Sequence, residues 1–271
     1  MPSGYAHYRF GSQLLPTFPD KIRKTVQRFR SLFDMGLHGP DLFFYRSPLL
    51  KGRGGFLGIR YHEQTGCAFF ARVCRMVRME KSEAGLAYLY GVLCHYCLDS
   101  VMHPFILEKA AEGPATHIQI ETEFDRFLLE TDGKVPPWAQ NISGQMELPA
   151  GEYETVARFY PPASPGNIRS GVRAMAFFHR RMAVPAGTRR KLLEKAMQLT
   201  GKELRGMLMT TEPNPLCRDL NEALMAEYRR AEEQLPKMLT QLQNHLAYSA
   251  PLEGEFEAPF GATSGKKENE T

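Results

Sequence analysis

The chain has 271 residues, 43% of them hydrophobic and 24% charged, with a formal net charge of +4. That is enough for one large or two small globular domains, and the dispersed Lys and Arg exclude a dedicated nucleic-acid binder, which would gather its cations on one face. Five scattered cysteines (Cys67, Cys74, Cys94, Cys97 and Cys217) exclude a disulfide framework, and the longest uncharged stretch, residues 84–98, is too short to cross a membrane.

No apolar leader follows Met1, so the expected compartment is the reducing cytoplasm. In chain order, Thr17 and Asp20 predict the start of one helix carrying Val26, Phe29, Leu32 and Phe33 on one side. Residues 38–58 read as loop, with two prolines and five glycines. Helical spacing returns over 65–77, where Phe69, Phe70, Val73 and Val77 share a face. Ser82 opens the next helix and Pro104 ends or kinks it. Thr116 and Gln119 form a capping-box pattern before a further helix. After a Pro- and Gly-bearing loop over 135–151, helices are expected near 153–160, 169–182 and 188–209. A last one spans 219–246, with Pro236 as a kink. No alternating strand pattern and no internal repeat occur, so the expected fold is all-α, a single multi-helix domain over residues 1–250. Residues 251–271 read as a disordered polar tail.

The helix after Ser82 is apolar around nearly its whole circumference, which marks it as buried. A charged Asp99 in such a place is costly unless it is paired or bound to metal. His95 and Asp99 are four apart and share a face; His103 follows four residues later, roughly 12 Å along the axis from His95. That span suits two neighbouring ions, His95 and Asp99 serving one and His103 the other. His117 and Glu121 repeat the spacing on the next helix. Neutral imidazole and carboxylate are good zinc ligands. One such pair is common as a surface ion pair; two pairs plus His103, on or beside a buried helix, point to metal. Cys94 and Cys97 read as small core residues, and His38, His179 and His245 as exposed.

At these residues the chain resembles the zinc-dependent phospholipase C family, whose fold is related to the P1/S1 nucleases. YAHYRFG (5–11), HGPDLFFY (38–45), YHEQTG (61–66), LYGVLCHYCLDSVMHP (89–104) and THIQIETEFD (116–125) carry the resemblance. It implies an all-helical domain with a cleft holding two or three zinc ions. The implied ligands are Asp41, His62, His95 and Asp99 for one ion, His103, His117 and Glu121 for a second, and His7 with the far oxygen of Asp99 for a third. In secreted members a processed N-terminal residue completes that third site, and the step from bridging aspartate to next histidine is longer than the four residues from Asp99 to His103. The implied activity is hydrolysis of a phosphodiester by metal-activated hydroxide, with Asp41 also the candidate to orient or deprotonate the water. The substrate is a phosphoester, phospholipid among the candidates. The aromatics Phe43, Phe44 and Tyr45 read as core. The alternatives are a P1/S1-like nuclease, which would need aromatic platforms for base stacking, and a non-catalytic zinc-binding helical module, whose metal would be closed off by protein ligands. No stable nucleic-acid complex is expected.

Overall fold

The computed structural model describes residues 4–46 and 53–261. Among these, twelve α-helices and several short 3-10 turns account for the secondary structure, with no strand beyond one isolated bridge. The all-α expectation holds.

The molecule is built around α6, Glu83–Glu112. The Ser82 side chain accepts from the Gly85 N–H and starts it, as its position predicts. Its middle is buried on every side, from Tyr88 to Asp99 without interruption. Pro104 neither ends nor breaks it: the helix continues two further turns to Glu112. The one lost N–H bond falls at an exposed proline and does not stop the helix. Against α6 pack α1 (Gly4–Leu14), α3 (Arg30–Gly36), α5 (Gly66–Glu80), α7 (His117–Thr131) and α12 (Asn221–Tyr248). The closest approach is α3 on α6. A Cβ on Gly91 would lie 2.3 Å from the Phe33 carbonyl oxygen, and one on Gly36 would lie 2.5 Å from that of Tyr88, so the two backbones touch where only glycine fits.

The helix expected from residue 20 onward is two helices. α2 (Asp20–Arg28) stops at Phe29, whose φ of −123° and ψ of 48° turn the chain before α3. The turn lets Leu32, Phe33 and Met35 reach the core beside Gly36. Thr17 does not cap it; its hydroxyl donates to the Leu14 carbonyl, and Pro19 holds the cap position. The stretch read as loop over 38–58 contains a 3-10 segment, Gly39–Arg46, and α4, Arg53–His62. Thr65 caps α5, and the Thr116–Gln119 box is formed at α7. α8 (Tyr153–Phe159) and α9 (Pro165–Met182) follow, the latter opened by a Ser164–Asn167 capping box. The expected helix over 188–209 divides into α10 (Thr188–Gln198) and α11 (Lys202–Gly206) around Gly201. α12 passes through Pro236.

The disordered tail expected from residue 251 is corrected for its first part. Leu252, Phe256 and Phe260 are buried in the same continuous core as Tyr5 and Leu242. Residues 262–271 lie outside the described residues.

Candidate metal centre

α6 places His95, Asp99 and His103 on successive turns of one face, and four other elements bring partners to it. α1 contributes His7, the 3-10 segment Asp41, the end of α4 His62, and α7 both His117 and Glu121. Asp99 is the centre. Its Oδ1 lies 3.1 Å from His7 Nε2 and 3.6 Å from His103 Nε2. Its Oδ2 lies 3.2 Å from His95 Nε2 and 3.7 Å from His62 Nε2. On one side His62 Nε2 approaches Asp41 Oδ1 at 3.1 Å. On the other, Glu121 Oε1 sits 3.4 Å from His103 Nε2 and 3.0 Å from His117 Nε2. All eight residues expected at the site therefore meet in one cluster. Six are buried; the side chains of His62 and His117 are 12% and 28% exposed and mark its open edge.

Local anchors aim the rings. His95 Nδ1 faces the Leu37 carbonyl at 3.2 Å and His62 Nδ1 that of Gly58 at 2.8 Å. Donating there leaves each Nε2 lone pair turned to the carboxylates, the tautomer that binds metal. Gly39, with φ of +46°, makes the turn into Asp41; a Cβ there would lie 2.5 Å from the His95 ring. The first turn of α1 is held from α7: the Tyr5 and Ala6 N–H groups donate to Asp125 at 3.0 and 2.8 Å. Further along, Arg9 makes a two-pronged pair with Asp132. His7 is thereby fixed facing Asp99.

The charge balance follows from this packing. Burial pushes Asp99 and Glu121 upward, but the surrounding imidazoles overcome it and hold both carboxyls well below their usual range. Asp41 is lowered in the same way, with His62 and His95 among the causes. Burial also pushes His95 and His103 down, yet Asp99 wins and both end above the ordinary imidazole value. For His7 burial wins and the shift is downward.

The donor set fits zinc. Ligand atoms about 2.0–2.2 Å from a tetrahedral zinc lie roughly 3.3–3.5 Å from one another, and the nitrogen–oxygen separations above fall around that value. Three triads have ligand atoms within 4.8 Å of one another: His7, His95 and Asp99; Asp41, His62 and His95; His103, His117 and Glu121. The buried His95 Nε2 and Asp41 Oδ1 make no hydrogen bond despite these short distances. Buried polar atoms aimed at one another without hydrogen-bond geometry are what a cation between them would satisfy.

Other expectations need correction. His38 is buried, not exposed; burial and the neighbouring His179 push its pKa down to about 3. His179 is half-buried, with Nε2 3.0 Å from the Tyr45 hydroxyl, and His245 Nδ1 meets the Ala250 carbonyl at 2.6 Å. Phe43 and Tyr45 are core aromatics as expected, but the half-buried Phe44 ring lies 5.1 Å from that of His62 and walls the cluster. Cys94 and Cys97 are buried, and burial raises both thiols, which suits packing rather than ligation. Asp125, inside the quoted THIQIETEFD stretch, carries a structural task that its spacing alone does not disclose.

Comparison with curated proteins and with solved structures finds no match. The family model described as zinc-dependent phospholipase C matches residues 6–159, more than half of the chain and a span that contains all eight clustered residues. With that match and this cluster, the chain belongs to the zinc-dependent phospholipase C family, an all-α, zinc-dependent group of hydrolases.

Proposed function

We propose that the protein is a zinc-dependent phosphodiesterase of phospholipase C type, holding two or three zinc ions on His7, Asp41, His62, His95, Asp99, His103, His117 and Glu121. The observation that carries this reading is the set of three triads joined through Asp99 and His95. The triad of His103, His117 and Glu121, which shares no residue with the other two, leaves a fourth tetrahedral position for substrate or water, whereas a structural zinc is closed by four. Zinc, when bound, polarises a phosphoryl oxygen and acidifies a water for in-line attack.

The chain's own residues do the rest. Asp99 and Glu121 stay ionised among the imidazoles and hold the cluster's negative charge. His62 and His95, fixed at Nδ1, turn their Nε2 atoms toward the carboxylates. Asp41 is the acceptor assigned to the attacking water's proton, at Oδ1. Phe44 forms an apolar wall beside His62, where the non-polar part of an ester would lie. A phospholipid or a smaller phosphodiester satisfies these features. No helix among the described residues is long and apolar enough to cross a membrane.

The test is metal analysis of the purified protein with a screen of chromogenic phosphodiesters and phosphomonoesters. Zinc at two or three equivalents with turnover of diesters is expected. Full zinc with no turnover on any ester would replace this reading by a non-catalytic zinc module. In Asp41→Asn, retained zinc with lost turnover assigns the proton role, and lost zinc reduces Asp41 to a ligand.

A further inference from the structure

We infer that residues 251–261 are a built part of the metal centre, in which Phe260 and Gly261 act as positioning residues for His62, His95 and His103. This rests on the zinc reading above but concerns a segment about ninety residues beyond the family match, which ends at residue 159.

The segment leaves α12 at Ser249, whose φ of 57° reverses the chain. It returns along the connection between α4 and α5. The Gly66 N–H donates to the Ala258 carbonyl at 2.9 Å, Phe260 N–H to Gln64 at 3.2 Å, and Gly261 N–H to His62 at 2.9 Å. Thr65 and Pro259 form the antiparallel bridge between them. The Tyr96 hydroxyl, on α6 one residue after His95, faces the Glu255 and Ala258 carbonyls at 2.7 and 2.8 Å and ties the strap to the same helix that carries the ligands.

Two consequences bear on the cluster. First, His62 is the last residue of α4, and a helix end leaves its carbonyls without intrahelical partners. The Gly261 N–H takes up that of His62, so the final turn of α4 is set by the strap. Second, the strap fills the space behind the ligand rings. The Phe260 ring lies 4.7 Å from Tyr96 and 4.9 Å from Phe69, with His95 at 6.2 Å. At Gly261 the backbone comes so close that an added Cβ would stand 3.2 Å from His103 Nδ1 and 3.3 Å from His62 Cδ2. One glycine thus touches a ligand from each of two triads. The buried His103 Nδ1 has no hydrogen-bond partner, so this ring is held by what packs against it.

A segment that only stabilised the fold would tolerate a small side chain at its end without any effect on metal. A positioning segment would not. The test is titration of the chelator-stripped full-length protein with zinc(II) and with cobalt(II), comparing wild type, Gly261→Ala, Gly261→Val and the pair Phe260→Ala and Phe260→Leu. Loss of groups that orient ligands typically weakens metal binding about 10–100-fold. That loss is expected for Gly261→Val and Phe260→Ala, with a shifted visible absorption band of the cobalt form. A smaller loss is expected for Gly261→Ala, and partial rescue for Phe260→Leu. Far-UV circular dichroism and the Tm of the stripped Gly261→Ala variant should match wild type, so that variant decides the question if the valine perturbs folding. Unchanged affinity and an unchanged cobalt spectrum in both Gly261 variants would overturn the inference while leaving the zinc reading standing. A wild type that takes up neither metal would overturn both.

Discussion

Replacing Asp99 with asparagine removes one negative charge from the middle of the cluster and keeps the side chain's size. Its two carboxylate oxygens face four imidazole nitrogens between 3.1 and 3.7 Å away. An asparagine offers one acceptor in place of two, and its amide group turns N–H donors toward any cation. Breaking one partner of a buried charge pairing costs about 3–5 kcal/mol. At about 1.4 kcal/mol per decade this is a roughly 10²–10⁴-fold loss of zinc affinity. With free zinc at about 100 times the wild-type Kd, zinc stabilises the wild-type fold by about 2.7 kcal/mol. For a chain of this size that is about 5–10 °C in Tm. At the same zinc concentration the variant would gain at most about 0.4 kcal/mol, one or two degrees. The assay is differential scanning calorimetry of chelator-stripped protein with and without added zinc, read beside zinc content. An Asp99→Asn protein that keeps the wild-type zinc content and the full zinc-dependent rise would refute the claim that Asp99 joins the sites.

The pH dependence should differ in sign between metal-free and zinc-loaded protein. Asp99 raises His95 and His103, so in the metal-free fold their contribution is full below about pH 6.5 and lost as pH rises through the raised values. His7, lowered by burial, opposes them by costing stability as pH falls below about 6.5. Zinc needs neutral imidazoles, so the zinc-dependent rise in Tm should grow between about pH 6 and 8; calorimetry showing it larger at the acid end would contradict this balance. Asp125→Ala strips the acceptors from two buried N–H groups at the start of α1. At about 1–3 kcal/mol for each of the two groups left unsatisfied, a loss of about 2–6 kcal/mol and roughly 4–24 °C in Tm is expected; a melting point within two degrees of wild type would show that α1 is held by other means. Gly91→Ala forces a Cβ to 2.3 Å from the Phe33 carbonyl oxygen. Overpacking of this kind costs about 1–3 kcal/mol or more, to be measured by soluble yield and thermal melting, and a wild-type melt would mean that α3 can move off α6 freely.

Those perturbations also separate what local spacing discloses from what it does not. α6 announces itself: an apolar circumference with one carboxylate and two imidazoles at four-residue intervals has few readings other than a buried, functional helix. The same logic finds His117 and Glu121 one helix later. His7, Asp41 and His62 carry no such signal, because each is a lone ligand on its own element, and only the resemblance of short motifs brought them in. The tail failed for a different reason. Leu252, Phe256 and Phe260 recur every four residues, but the glycines and acids between them dominate the composition. The three side chains bury themselves through pairing with residues 62–66, almost two hundred positions away, which no local window contains. The helix break at Phe29 likewise has no glycine or proline to mark it and serves the contact of Gly36 with Gly91. Pro104 and Pro236, both exposed, lie inside helices that continue past them, so a local breaker does not by itself mark a helix end. The common factor is range. Features set within one helical turn can be read directly, and features set by contacts between distant elements cannot. The metal centre depends on both kinds: α6 supplies a rigid row of ligands on its own, while the geometry around that row is fixed by pieces as far apart as α1 and the strap after α12.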